Sequence, residues 1–382
     1  MKKIYLDNAA TTPIDPKVLE AMLPFLKEKY GNASSLHEWG REAREAVEKA
    51  REIIAKKLNV KPHEVIFTSG GTESNNFAIK GIAFATKDKG KHIITQKTEH
   101  PCVLNACRFL EKLGFEVTYL DVDEYGMVKV GDVENAIRKD TILVSIMHAN
   151  NEIGTIQPLK EIGEICRERG IYFHTDACQS FTKEPLDVEE FNLDLVTINA
   201  HKIYGPKGVG ALIVKEGVKI EPLVHGGGHE FGLRSGTENV PGIVGFGKAV
   251  EIAKKEDTEH MRRLRDLLIK RVLSEIPDVR LNGHPTKRLC NNVNFTFYGI
   301  EGEALVLRLD ARGIACSTGS ACSSHKLEPS HVLLAIGLKP EEAHGSLRMT
   351  LGKQNAKEEI EYAIEALKEE VEDLREISGW RK

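Results

Sequence analysis

The sequence predicts an α/β protein built on a mostly parallel sheet with helices on both faces, followed by a second, smaller unit. From about residue 64, short apolar runs rich in Val, Ile and Leu recur as EVIFT, HIIT, FEVTYL, TILVSIMHA, IYFHTD, LDLVTINA and GALIV. Between several of them lie stretches with apolar residues at helical spacing, as in VLNACRFLEKL and LKEIGEICRER. Strand-like and helix-like segments in alternation are the pattern of βα units and a parallel sheet. Runs with so few internal charges suit strands that bury both faces.

Taken in order, the start MKKIYLDNAATT reaches Asp7 within a few residues, so no apolar signal-peptide core is expected there, and no later stretch approaches a membrane span. The apolar runs then follow. After the glycine-rich HGGGHEFGLRSGTENVPG the grammar changes to a long charged helix over roughly residues 245–275, and a second unit begins. The last helix carries Ile360, Ile364, Leu367, Val371 and Leu374 on one stripe, the pattern of a helix covering a sheet. The expected division is 15–256 for a large domain, and 1–14 with 257–382 for a small one.

Composition narrows the function. With 382 residues, 41% hydrophobic and 29% charged, the chain is long enough for two or three domains and is neither disordered nor fibrous. Lys plus Arg number 53 against 57 Asp plus Glu, a net charge of -4, so no basic field exists to attract nucleic acid. The 7 cysteines are scattered singly without a CxxC pair, which argues against a disulfide framework or a zinc ribbon and for a reducing, cytoplasmic setting.

Three segments carry chemistry. TSGGTESNN, residues 68–76, runs from strand to helix through paired glycines, which gathers free backbone N–H groups and a helix dipole into a phosphate seat; a tight turn with Thr72 as a plain N-cap is the competing reading. It matches neither GxxxxGK[ST] nor GxGxxG, which weakens a nicotinamide oxidoreductase. HTDACQS places Asp176 at the end of a strand, where a carboxylate can keep a heterocyclic N–H⁺ protonated or, alternatively, cap a helix. NAHKIYGPKGVGALIV places Lys202 just past another strand, where an amine inside a cleft can form a Schiff base, although a lone lysine is ordinarily a solvated surface group. Together the three are the parts that pyridoxal phosphate needs. His225 and His229 flank three glycines but have no third ligand at a suitable spacing, so no metal is expected.

With these segments in view, the chain resembles the cysteine desulfurases of the class V aminotransferase family. YLDNAATTP, GNASSLHEWG, FTSGGTESNN, TEHPCVLN, HANNEIGTIQP, HTDACQS, AHKIYGPKGVGAL, HGGGHEFGLRSGTENV and STGSACSS carry the likeness nearly end to end. SACSS and the intact HGGGHE and RSGT blocks are similar to the branch that serves iron–sulfur assembly. The resemblance implies a fold-type I pyridoxal-phosphate transferase: a large domain with a seven-stranded, mostly parallel sheet between helices, and a smaller α/β C-terminal domain. It implies Lys202 as the Schiff-base lysine, Asp176 as the partner of the pyridine nitrogen and His100 stacked on the ring. Gly71, Thr72 and His201 would hold the phosphate of pyridoxal 5′-phosphate, Asn151 and Gln179 the ring edge and its hydroxyl, and Thr237 the phosphate of a neighbouring subunit in a homodimer. Asn199 stands where the family commonly has a phosphate-binding serine.

The same resemblance implies Arg348 for the carboxylate of the substrate L-cysteine, and an unpaired guanidinium in an apolar strand needs an anion partner in any case. Cys322, among Ser, Thr, Gly and Ala in a segment of about 316–330, is implied as the persulfide-forming nucleophile; Cys316 and Cys178 are expected to be packing residues. The implied reaction turns L-cysteine into L-alanine and hands sulfur to an iron–sulfur scaffold protein. A selenocysteine lyase, another aminotransferase-like enzyme or a non-catalytic sulfur-assembly partner are the competing functions, to be separated by product analysis.

Overall fold

A computed structural model describes residues 3–319 and 329–379. Its strands are β1 (Ile4–Tyr5), β2 (Val65–Thr68), β3 (His92–Gln96), β4 (Glu116–Leu120), β5 (Thr141–Ser145), β6 (Tyr172–Asp176), β7 (Leu195–Asn199), β8 (Gly210–Val214), β9 (Val279–Leu281), β10 (Asn292–Phe297), β11 (Ile314–Ala315) and β12 (Ser346–Thr350). Its helices are α1 (Pro16–Lys27), α2 (Glu38–Leu58), α3 (Gly71–Thr86), α4 (Pro101–Glu111), α5 (Val130–Ala136), α6 (Leu159–Arg169), α7 (Val240–Ile252), α8 (Lys255–Glu275), α9 (Gly302–Ala311), α10 (His331–Ala335), α11 (Pro340–His344) and α12 (Lys357–Ser378).

Each apolar run became a strand of one sheet, which among the described residues has seven strands in the order β2-β8-β7-β6-β5-β3-β4. Only β8 runs antiparallel to its neighbours, β2 and β7. Side chains alternate faces along each strand, and both faces are covered. Val65 and Phe67, Ile94, Val144, Val196 and Ile198 enter one core with α1, α2, α6 and α7, while Ile66, Ile93, Leu143, Leu195 and Leu212 enter another with α3 and α4. Double coverage is why the runs are continuous rather than alternating.

A further core lies around a three-stranded antiparallel sheet, β12-β10-β9, with α8, α9 and α12 packed on it. Ile360, Ile364, Leu367 and Val371 of α12 are buried there as a stripe. Ile4 and Leu6 belong to this core too, because β1 pairs in parallel with β11 far along the chain. The long helix anticipated over 245–275 is instead two helices, broken where Ala253 and Lys254 turn extended. The cause is packing: α7 buries Ile243, Phe246 and Val250 against the sheet core, whereas α8 buries Leu264, Leu268 and Val272 in the other. One straight helix cannot face both.

The HGGGHE segment is anchored by a buried ion pair. Arg51 of α2 donates to Glu230 in a bidentate arrangement at 2.8 and 2.9 Å, and Glu230 also accepts from the Phe67 N–H at 2.7 Å. The guanidinium lies between the rings of Phe67 and Phe231, 4.8 and 5.0 Å from their centroids. Removing Glu230 leaves the buried Arg51 only the more exposed Glu48, 3.2 Å from its Nε, and the Val65 carbonyl as partners, so its charge loses its one buried counter-ion. Glu230→Ala should therefore cost on the order of 3–5 kcal/mol. Arg138→Ala, which breaks exposed pairs to Glu116 and Asp140, should leave the denaturation midpoint near that of the parent. Denaturant unfolding of both variants checks this, and equal losses would contradict it.

Candidate active site

Parallel strands end together, and residues just past those ends meet in one place. Asp176 ends β6, Asn199 ends β7 with His201 and Lys202 following, His100 follows β3, and the turn after β2 leads into α3. Gly70, with φ +150°, caps α3 without a side chain, so Thr72 sits inside the first turn rather than at the cap. That leaves Thr72 exposed at the mouth of the site. A Cβ on Gly71 would stand 2.6 Å from the Cys178 Sγ and 3.3 Å from the Asn199 Nδ2, so only glycine lets the helix start come this close.

A cavity of about 410 Å³ opens there, bordered by Thr11, Gly71, Thr72, His201, Lys207 and Gly208. The first N–H groups of a helix have no acceptor within it, and they point at this space together with a lysine and an imidazole. His201 is pulled down to about 4, by burial first and then by Lys202, Lys207 and Lys183, and its Nδ1 lies 3.2 Å from the Thr11 hydroxyl. The donor set fits a phosphate ester.

Asp176 is nearly buried, and its two oxygens accept from the Asn75 side-chain amide at 2.6 Å and the Cys178 N–H at 2.9 Å. A carboxylate held in this way fits a protonated ring nitrogen. Lys202 Nζ donates to the carbonyl of Ala10 at 2.6 Å and to that of Ala9. His100 is the N-cap of α4, and its Nδ1 accepts from the Cys102 N–H at 3.2 Å. Burial lowers the His100 pKa, with Lys202 and His331 adding to the effect and Asp176 opposing it. Amine, acid and imidazole thus converge beside a phosphate seat, a set that fits pyridoxal 5′-phosphate.

Gln179 is buried and its amide donates to the Ala9 carbonyl at 3.0 Å. Asn199 is buried with its Oδ1 unpartnered. Asn151 offers its backbone carbonyl to Arg348 at 3.1 Å. Arg348, buried on β12, also donates to Asp7 at 3.0 Å, while its Nε has no partner among the described residues. Thr237 is exposed and does not border the cavity within this chain. Cys322 lies outside the described residues. Burial pushes the thiol of Cys316 up to about 12 and that of Cys178 well above its usual value, as befits packing residues.

Reading the sequence missed Asn75, Cys102, Asp7, Glu152 and Glu99. Asn75, Cys102, Glu152 and Glu99 stand within a few positions of a residue it did single out, Asp7 stands far from any, and only the fold gives each its partners. Glu152 is buried, pushed up to about 7, and accepts from the Ser330 hydroxyl at 2.5 Å. Glu99 is buried with one oxygen accepting from the Met147 N–H and the Gln96 amide and the other unpartnered. Burial, aided by Asp176, raises it from 4.5 to about 8, so it keeps its proton at neutral pH. Its contribution to stability is full below pH 4.5 and is lost as pH rises to about 8. Glu99→Gln keeps the shape and removes the titration. Its melting temperature relative to the parent should rise steadily over that interval and then level off; a pH-independent difference would overturn the assignment.

The sequence profile of the aminotransferase class-V family matches residues 4–363. The chain is 57% identical over 384 residues to a protein of Dictyoglomus turgidum named cysteine desulfurase IscS, a match covering 100% of this chain and 98% of that one. A protein of the same name from Methanosarcina thermophila is 57% identical over 380 residues, covering 99% of this chain and 94% of its own. Among solved structures, one described as a NifS-like protein superposes with a TM-score of 0.92 at 41% identity, over 98% of this chain and 100% of that chain. Another, described as SspA in complex with cysteine, gives a TM-score of 0.84 at 41% identity, over 93% and 100%. The family profile runs from the first strand into the last helix and takes in residues of all three cores: the chain belongs to the aminotransferase class-V family.

Proposed function

We propose that this chain is a pyridoxal 5′-phosphate-dependent cysteine desulfurase that converts L-cysteine to L-alanine and leaves the sulfur on Cys322 as a persulfide. The observation that supports the reading is that Asp176 ends β6 while Lys202 and His100 follow β7 and β3, at the same edge of the sheet as the start of α3. The names of the full-length relatives support the substrate.

When bound, the cofactor supplies an electron sink that makes the Cα proton of an attached amino acid labile. Gly71, Thr72 and His201 hold its phosphate, with the Asn199 amide in the place of the usual serine. Lys202 Nζ would be the amine that holds it, and it is the base placed to take the Cα proton of the substrate. Asp176, steadied by Asn75 and the Cys178 N–H, favours a proton on the nitrogen it faces. His100 would cover the ring, and Asn151 and Gln179 would address its edge. Arg348 orients the substrate carboxylate, with Asp7 and the Asn151 carbonyl fixing the guanidinium plane and Nε left over for a further acceptor.

The thiolate of Cys322 attacks the substrate sulfur; the S–S bond forms as the Cβ–S bond breaks, and protonation of the remaining carbon skeleton gives alanine. The acceptor of the persulfide sulfur is an iron–sulfur scaffold protein. Exposure of Thr237 away from its own cavity suits a residue that completes the site of a second copy, so the functional unit is a homodimer. The core around the central sheet belongs to a large domain, 15–256, and the other to a small domain, 1–14 with 257–382. Among the described residues no helix is long and apolar enough to cross a membrane, and the described cysteines are free; the reading places the enzyme in the cytoplasm.

Lys202→Ala should lack the visible absorbance of covalently held cofactor, and a retained band would reject this lysine. Cys322→Ser should bind the cofactor like the parent yet form no protein persulfide with L-cysteine; undiminished sulfide and alanine production by that variant would refute the role. Light scattering should return a dimer, and a fully active monomer would contradict the shared site.

A further inference from the structure

The side chains of Asp176 and His100 sit on different strand ends, yet they are joined through Asn75, which steadies Asp176, and Cys102, which the proposed reaction does not use. The Asn75 amide nitrogen lies 2.6 Å from Asp176 Oδ2 and 3.1 Å from the Cys102 Sγ, and that sulfur lies 3.0 Å from His100 Nδ1. We propose that Asn75 and Cys102 are positioning residues forming a brace from Asp176 to His100, in which the Cys102 thiol donates to Nδ1 and holds the imidazole in its Nε2–H tautomer.

The direction of each bond follows from what each atom can do. The Cys102 backbone N–H donates to Nδ1 at 3.2 Å, and a backbone nitrogen cannot accept, so Nδ1 carries a lone pair and the ring proton belongs on Nε2. Facing a lone pair, the sulfur 3.0 Å away must present its S–H. Asn75 then has one amide hydrogen for the carboxylate and one for the sulfur lone pair. Its Oδ1 is left buried without a partner, so the amide is turned to serve two acceptors at the expense of its own oxygen. The thiol is suited to donating rather than attacking, since burial and the charge of Asp176 push it up to about 12.

Protonating Nδ1 means displacing both donors, which keeps the imidazole neutral. The other groups facing it are Asp176 from β6, which favours the cation, and Lys202 after β7 and His331 of α10, which oppose it. None of these changes in a Cys102 variant. The inference rests on reading His100 as the imidazole of the cofactor site, but the bond itself is measurable without turnover.

Full-length protein labelled at histidine Cε1, with the His100 signal assigned by its loss in His100→Gln, can be titrated by NMR with and without cofactor. Cys102→Ala should raise the His100 protonation constant by about threefold to tenfold, the worth of one neutral hydrogen bond, and shift the acidic limb of kcat/KM the same way. Cys102→Ser, which restores a donor, should return both toward the parent, as simple space-filling would not. An unmoved titration in Cys102→Ala, or a serine variant that behaves like alanine, overturns the brace. If the alanine variant does not fold, Asn75→Leu releases the thiol from its aim and should move the titration in the same direction, with no movement again overturning it. A parent chain that shows this titration but no desulfuration rejects the proposed reaction and leaves the brace standing.

Discussion

The geometry of the site depends on the segment 7–12, a stretch outside the helices and main strands that is tied to both β12 and the residues following β7. Its carbonyls at Ala9 and Ala10 receive the Lys202 ammonium, and Ala9 also receives the Gln179 amide. Asp7 receives Arg348, Thr12 is bonded to the carbonyl of His201, and Asn8 and Ala9 are tied to Thr350 on β12. A backbone carbonyl cannot titrate or change rotamer, so it fixes an amine at a strand end with less freedom than a side chain allows. The central sheet supplies Lys202 and Gln179, the second sheet supplies Arg348, and one short segment sets their spacing.

Around that segment burial shifts several ionisable side chains toward their neutral forms. His100 and His201 are lowered by burial, whereas Glu99 and Glu152 are raised by it. Those with opposite charges close at hand are paired instead, as with Arg348 and Asp7. In a dry cavity an unpaired charge is costly and a paired one acts over a longer range than in water. The arrangement therefore concentrates electrostatic influence on Asp176 and Lys202, the two groups whose charge the proposed chemistry uses.

The sheet was legible because strands buried on both faces leave an unbroken apolar record, visible in TILVS and LVTIN without knowledge of their neighbours. Lys202, Asp176 and His100 were legible through motifs that sit just after such strands. The partners of these residues were not. Arg348 plainly needed an anion, but its partner Asp7 stands 341 positions away in the chain. Cys102 looks like an ordinary helix residue until the α4 cap turns it toward His100, and Asn75 looks like any polar residue of a first turn. The break between α7 and α8 was hidden for a related reason: periodicity reports that a face is apolar, not which of two cores it will meet.

The placement of β1 bears on how the molecule comes into being. Ile4 and Leu6 can be buried only after β11 has been made, and Asn8 waits for Thr350, near the far end of the chain. During synthesis these residues leave the ribosome some 300 positions ahead of their mates, and the central sheet can collapse long before they dock. The amine and guanidinium clamps close only when that final seam is sewn, so a nascent chain can be mostly folded and still lack a working centre.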